Sequence, residues 1–472
     1  MATIETILQA TRGLISAPAG CGKTQLIVDS LKQPQSKPVL VLTHTTAGVA
    51  ALKHRLKKSS VPSKNYRLAT IAGWAINLAR MFPARCGNII DTVKVPDYKK
   101  IQHVVSQLCI SPEIAVLLKA TYSRLLVDEY QDCSRTQHSL LVALSHSLPT
   151  AILGDPMQAI FGFGDDPLPN WNSEVSTHFP LLGGLSTPWR WINANSNELG
   201  KWILNVRDIL NLGQKIDLRT CASHVHWHQL SGNLQQDTQA QLKVQYSIFN
   251  GFGNSDSFLV IGDSINVQSR HNYAKGANGL TVVEPVDLRD ILSSAKKMDG
   301  IRGSKLLSEV IDLASTMIAN VNGPQLLKRL DSIKNGSNRI PATSQEEAAL
   351  NLLDNGGYKE ASEFLKILVQ DKTRKLYRHS AYSIIVDALD ASAADWSKNL
   401  YEITATIREQ RRHSGRRIPN RAIGSTLLLK GLESDHVLIL NADQMNAQHL
   451  YVALSRGAKT VNVFSSIPIV PV

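Results

Sequence analysis

The run Ala17-Pro18-Ala19-Gly20-Cys21-Gly22-Lys23-Thr24 decides how the rest of the chain is read. Its small residues let backbone N–H groups close around an anion, and it ends in the Gly-Lys-Thr of a phosphate-binding loop, with Ala17 where such loops usually carry glycine. In such a loop Lys23 neutralises the terminal phosphate and Thr24 is a ligand for Mg²⁺. The context agrees. Gly13-Leu14-Ile15-Ser16 is a short apolar strand, and Thr24 to Lys32 is compatible with a helix. Further out, Val39-Leu40-Val41-Leu42 reads as a continuous apolar strand and Ala47 to Leu56 as a second helix. Apolar strands alternating with helices predict a parallel sheet covered on both faces.

The theme returns at Leu125-Leu126-Val127 and Ala151-Ile152-Leu153, each run leading directly into carboxylates. Asp128 and Glu129 close the first of them. Strand alternation turns neighbours to different sides, which assigns Asp128 to the Mg²⁺ shell and Glu129 to the attacking water as general base. An ordinary acidic strand end is the alternative, and a phosphate loop upstream weighs against it. A third block gives strands at Phe258-Leu259-Val260-Ile261 and Leu280-Thr281-Val282-Val283, and strands return at Val437-Leu438-Ile439-Leu440 and Val461-Asn462-Val463-Phe464. Between about 290 and 417 the pattern is helical. The expected organisation is a first lobe of 1–74 and 122–184 with a small helical insertion at 75–121, and a second lobe of 185–292 and 418–472 with a helical insertion at 293–417.

The 472 residues are 43% hydrophobic and 19% charged, too apolar for disorder, and 51 Lys+Arg against 39 Asp+Glu leave a net charge of +12. Such a surplus favours a polyanionic partner, though it also serves solubility alone. Arg408, Arg411, Arg412, Arg416, Arg417 and Arg421 crowd one stretch, either as a solvated face or as a contact for duplex DNA or a protein partner. No apolar run reaches the ~18 residues of a membrane span, and the first residues lack a signal-peptide pattern, so no membrane contact and a cytoplasmic location are expected. Cysteines at 21, 86, 109, 133 and 221 make a poor disulfide framework, and reduced thiols are expected. Cys221, His224, His226 and His228 lack a second ligand pair, so a solvated strand face is preferred over zinc.

Several runs together resemble a known family. Thr43-His44-Thr45-Thr46-Ala47, Val127-Asp128-Glu129-Tyr130-Gln131-Asp132, Gly154-Asp155-Pro156-Met157-Gln158-Ala159-Ile160-Phe161-Gly162-Phe163, Pro188-Trp189-Arg190, Asn266-Val267-Gln268-Ser269-Arg270, Lys430-Gly431-Leu432-Glu433 and Leu450 to Ala458 stand in the order found in superfamily 1 DNA helicases of the UvrD/Rep type. The resemblance implies an α/β fold of two RecA-like P-loop lobes with parallel sheets, each with an inserted, mainly helical subdomain. It also implies ATP and Mg²⁺ as cofactors and 3′→5′ movement on single-stranded DNA. By the same resemblance, Ala17, Pro18, Ala19, Gly20, Cys21, Gly22, Lys23, Thr24 and Gln25 hold the nucleotide, Trp189 stacks on its base and Glu433 lies near its ribose. Gln158 senses the γ-phosphate, and Arg190 and Arg456 reach it from the second lobe. Phe161 and Phe163 stack unpaired bases, while Thr43, His44, Thr45 and Thr70 contact the strand.

The chain also departs from the family. His44 stands for a base-contacting Phe, Gly164 for an Arg and Leu427 for a His, and no glutamine falls at the adenine-reading position, Gln9 being too close to Lys23. These changes, with the short insertions, motivate an alternative: a DNA- or nucleotide-sensing ATPase that regulates a nuclease and unwinds little. In size and layout the chain resembles the helicase-like subunit of Gabija-type anti-phage systems, whose partner is a nuclease of the overcoming-lysogenisation-defect family. A metabolite kinase is a third reading, disfavoured by the paired arginines and by Phe161 and Phe163.

Overall fold

A computed structural model describes residues 2–90, 96–162, 164–251, 253, 256–285, 287–337, 339–354, 356–394, 399–414 and 419–472. Its first sheet is built from β1 (Arg12–Ser16), β2 (Val39–Thr43), β3 (Tyr66–Thr70), β4 (Leu125–Asp128), β5 (Thr150–Gly154) and β6 (Leu181–Gly184), in the order β3-β2-β4-β5-β1-β6. Every pairing is parallel. The continuous apolar runs are the reason. β2, β4 and β5 are buried along their whole length, which only a sheet covered on both faces allows.

Side-chain alternation sorts these strands onto two cores. Leu40, Leu42, Leu125, Val127 and Ile152 pack with helices α4 (Ile71–Met81), α5 (Tyr98–Ile110), α6 (Pro112–Thr121) and α7 (Arg135–Ser145), whereas Val39, Val41, Leu126, Ala151 and Leu153 pack with α2 (Lys23–Lys32) and α3 (Thr46–Lys58). A short α1 (Ile4–Gln9) joins the second core through Ile7. The insertion expected at 75–121 is thus α4 to α6, with 91–95 outside the described residues. After the single turn α8 (Ser176–His178) and β6 come α9 (Trp189–Asn193) and α10 (Asn197–Asn211), which buries Leu199, Ile203, Val206 and Leu210 at helical spacing.

Further strands are β7 (Ile216–Asp217), β8 (Val225–Gln229), β9 (Phe258–Ile261), β10 (Thr281–Val282), β11 (Ile318–Ala319), β12 (Lys375–Leu376), β13 (Arg421–Gly424), β14 (Ser434–Ile439), β15 (Gly457–Ser465) and β16 (Ile469–Val470). A second six-stranded sheet has the order β10-β13-β9-β14-β15-β8, in which β10, β13, β9 and β14 run parallel. Helices from Arg289–Met298 to Leu400–Ser414 enclose their own apolar core, with Leu307, Val310, Phe364, Leu365, Ile385 and Leu389 at its centre. By contacts the chain divides into a unit of Met1–Trp227, Ala442–Val461 and Ile467–Val472 and a unit of His228–Asn441 and Asn462–Ser466. Residues 185–227, which the sequence groups with the second lobe, therefore group with the first sheet.

Candidate nucleotide and nucleic-acid site

Strand register assembles the site. Thr43 lies opposite both Thr70 and Asp128, and Ser16 opposite Gly154, so the carboxyl ends of the first sheet's strands form one edge, where parallel sheets bind ligands. The 17–22 loop leaves β1 at this edge. Gly20 and Gly22 hold φ of +71° and +89°, in the left-handed region that glycine enters without steric penalty. At Gly20 a Cβ would also lie 2.7 Å from the Trp191 ring and 2.9 Å from Arg190 Cβ. Helix α2 then begins at Lys23 with no side-chain cap on its N-terminus, leaving backbone donors aimed at the loop.

Three charged side chains meet there. The Lys23 ammonium is 2.6 Å from Glu129 Oε2 and 3.6 Å from Asp128 Oδ1. Burial disfavours the charge on Lys23, yet Glu129 and Asp128 outweigh it and hold its pKa above the ordinary lysine value. Burial pushes the Asp128 carboxyl up to about 6, against the pull of Lys23. Alternation, the reason for sending the two carboxylates to different sides, stops at Asp128. Glu129 leaves the strand in a left-handed conformation, φ 57° and ψ 42°, so both carboxylates face Lys23. Thr24 is half-buried at the start of α2, and Gln25 is exposed and donates to Asp29 at 2.9 Å. Cys21 is a buried thiol, its pKa pushed up to about 12 by burial, with Asp155 adding to the shift.

A polar chain leads away from Glu129. Gln131 donates to the Glu129 carboxylate, and its Oε1 accepts the Asp155 N–H at 3.2 Å. Asp155, fully buried, accepts from Gln158 Nε2 at 3.1 Å and from Arg207 Nε and Nη2 at 3.0 and 2.9 Å. Sequence reasoning missed this chain. Gln131, Asp155 and Tyr451 stood inside quoted runs without a role, and nothing local marked Arg207, a basic residue beside the buried Val206 on α10. The Tyr451 hydroxyl accepts the Ala19 N–H at 3.0 Å, tying the phosphate loop to the helix Ala447–Leu454.

Both nominated arginines lie in this unit. Arg190 packs over Trp191, its N–H donates to Gly20 O at 3.1 Å, and its guanidinium donates to Ser455 O. Arg456, 2% exposed, folds back on its own turn, donating to Val452 O at 2.9 Å and Ser455 Oγ at 2.8 Å. Trp189 is half-exposed beside Gly22, where a Cβ would lie 3.1 Å from its ring. Glu433 is exposed ahead of β14, in the other unit.

The nominated DNA contacts fare unevenly. Thr43 is 1% exposed, packed where a Cβ on Gly48 would meet its hydroxyl, so it does not present that group at the surface. Thr45 and Thr70 serve as N-caps of α3 and α4, accepting Gly48 N–H and Gly73 N–H at 3.0 Å each. His44 bonds Gln137 at 3.2 Å and meets the half-buried Phe161 ring at 5.8 Å, while Phe163 lies outside the described residues. In the arginine-rich stretch, Arg408 donates to Asp287 O at 3.0 Å, Arg411 pairs with Asp387, and Arg421 covers the Phe249 ring at 4.5 Å. Those three serve the fold. Arg416 and Arg417 lie outside the described residues, and the Arg412 side chain is not described. Among the described residues no group of three or more His, Cys, Asp or Glu is placed to hold a metal, and His228 instead stacks on Phe464 at 4.8 Å. No single helix among them is long and apolar enough to cross a membrane.

Residues 90–173 match the UvrD/REP helicase N-terminal domain. That stretch contains Asp128, Glu129, Asp155 and Gln158. The matches support a UvrD-type helicase, an ATP-dependent enzyme. Curated relatives include an ATP-dependent helicase/nuclease of Lactococcus lactis subsp. lactis (strain IL1403) and the exonuclease/helicase protein RexA of L. lactis subsp. cremoris (strain MG1363). Each is 35% identical over 68 residues, which make up 14% of this chain and 6% of the relative. Among solved structures, the arterivirus nonstructural protein 10 helicase in complex with DNA aligns over 98% of this chain and 62% of its own at 8% identity. Its TM-score of 0.36 is too low to bear on fold or function.

Proposed function

We propose that the chain is an ATP-dependent translocase or helicase acting 3′→5′ on single-stranded DNA. The observation that supports it most is the buried meeting of Lys23, Asp128 and Glu129 beside the uncapped start of α2. The residues present suit Mg-ATP: 17–25 offer backbone donors and a buried ammonium, and Thr24 and Asp128 supply hard oxygen ligands for Mg²⁺. When bound, Mg²⁺ neutralises phosphate charge as the γ-phosphoryl is transferred to water. Within the chain, Lys23 exchanges its hold on Glu129 for phosphate oxygens, which frees the Glu129 carboxylate to accept a proton from the attacking water. Gln131 and Asp155 keep Glu129 and Gln158 in register with that event. Arg190 and Arg456 are the proposed transition-state cations, and both must leave their present backbone acceptors to act.

DNA-stimulated ATP hydrolysis tests the reading. Lys23→Ala and Glu129→Gln should each lose turnover, and wild-type rates in both would refute the site. Strand displacement on substrates with a 3′ or a 5′ overhang tests polarity. One observation favours the alternative, a regulatory ATPase for an overcoming-lysogenisation-defect-family nuclease in anti-phage defence. With Thr43 buried and Thr45 and Thr70 engaged as caps, fewer hydroxyls are offered to a DNA strand. ATP hydrolysis without strand displacement by the isolated chain would favour that alternative.

A further inference from the structure

From residue 30 to residue 90 the chain carries ten Lys/Arg and no Asp or Glu. Folding concentrates six of these cations at one place. Helix α3 starts just after the carboxyl end of β2 and returns along the sheet to the amino end of β3, which pairs with β2 at Val39↔Tyr66. Leu52 and Leu56 face the core, while Lys53, Arg55, Lys57 and Lys58 are exposed on the helix, Lys64 on the turn Ser63–Asn65, and Arg67 on β3, the edge strand of the sheet. Asn65 pins that turn by donating to Leu31 O at 2.9 Å, and Arg67 is held by Ser63 O and Tyr66 O at 3.2 and 3.0 Å. Among the described residues none of the six has an acidic partner. α3 is about 20 Å long by its 13 residues, so this end of the sheet is well separated from the edge that carries Lys23 and Asp128.

Structural reasons account for only part of the pattern. Arg55, Lys57 and Lys58 sit in the last turn of α3, where cations favour the helix dipole. Lys53 and Lys57, four apart, instead repel by about 0.2–0.5 kcal/mol, and Lys64 and Arg67 are outside the helix. The nature of the partner follows from what the surface lacks. No large hydrophobic side chain is exposed between 46 and 67 among the described residues, whereas a protein interface needs an apolar or aromatic anchor and single-stranded nucleic acid needs exposed rings for stacking. A duplex backbone needs neither. It offers regularly spaced phosphates to charge alone, and Lys53 and Lys57 are about 6 Å apart along the helix, close to two base-pair rises.

We propose that the basic end formed by α3, the Ser63–Asn65 turn and β3 grips the phosphate backbone of duplex DNA, apart from the nucleotide and single-strand edge. This goes beyond the helicase reading, and its test needs no ATP. Binding of the full chain to a blunt duplex is measured across a salt series, with two variants: Lys53→Gln/Lys57→Gln, and all six cations changed to Gln. Each lost phosphate contact should flatten the slope of log K against log salt by about 0.9, hence about 2 for the pair and up to about 5 for the six. All changes are on exposed side chains, so the melting temperature and ATP hydrolysis on a short single strand should match the parent. If the six-fold variant fails to fold, the pair variant carries the test alone. Equal slopes and affinities in parent and pair variant would overturn the proposal, as would patch-dependent binding of polyglutamate with none of duplex. A parent that binds duplex through the patch but hydrolyses no ATP would sink the helicase reading and leave this one standing.

Discussion

Arg207→Met should be among the most damaging single substitutions outside the phosphate loop. Asp155 is fully buried, and the Arg207 side chain, 13% exposed, places two donors at 2.9 and 3.0 Å on the same Asp155 oxygen. Removing one member of a buried pair strands the other charge, at a cost of about 3–5 kcal/mol. Met157 N–H at 3.2 Å and Gln158 Nε2 at 3.1 Å still serve the carboxylate and bring the expected loss to the lower end, about 3 kcal/mol. In a chain of this size that is a fall in Tm of roughly 6–12 °C. Asp155→Asn should cost less, because Arg207 keeps Asp208 at 3.0 Å and some access to water. The double variant should then be more stable than the sum of the singles allows, with a coupling energy of about 1–3 kcal/mol from a urea double-mutant cycle. Asp155 also holds Gln158 and, through Gln131, the proposed base. Steady-state ATP hydrolysis should therefore lose kcat in Arg207→Met with KM changed by no more than about twofold. A loss of stability under about 0.5 kcal/mol, or a coupling energy near zero, would refute the argument, since both follow from the burial of Asp155.

Gly20→Ala forces a side chain into left-handed backbone and against the Trp191 ring, 2.7 Å from the new Cβ, and should cost about 2–4 kcal/mol in thermal or urea unfolding together with nucleotide affinity. Tyr451→Phe removes the acceptor of the Ala19 N–H and should cost about 1–3 kcal/mol, with the loss shrinking when saturating nucleotide is present in the melt if the loop then finds phosphate acceptors. Asp128→Asn tests the raised carboxyl. With a folded pKa of about 6 against an ordinary 3.8, Asp128 contributes stability that is full below about pH 4 and lost as pH rises through about 6, at most about 3 kcal/mol. The Asn variant should show a flatter stability profile between pH 4 and 6, and an unchanged profile would contradict the burial of that charge.

Local patterns carried the strands and the phosphate loop, because an apolar run buried on both faces and a small-residue turn before Lys23 are written in adjacent residues. The threonine roles were open to a different local reading. Thr45 and Thr70 each stand before a helix with a glycine three residues on, the ordinary position of an N-cap, and that demand is met inside the chain. What adjacent residues do not encode is partnership over long separations. Asp155 finds Arg207, and Ala19 finds Tyr451, only after the sheet and its flanking helices are packed. Glu129 joins the two kinds of information. Its strand run is plain in the sequence, yet its left-handed backbone, disfavoured by about 1–2 kcal/mol for a side chain with a Cβ, is not. Lys23 on one side and Gln131 on the other hold the carboxylate in that conformation. A ligand that draws Lys23 away therefore removes half of what restrains Glu129, so phosphate binding and release of the proposed base are one event mechanically, and the Gln131–Asp155–Arg207 chain decides how far the freed carboxylate travels.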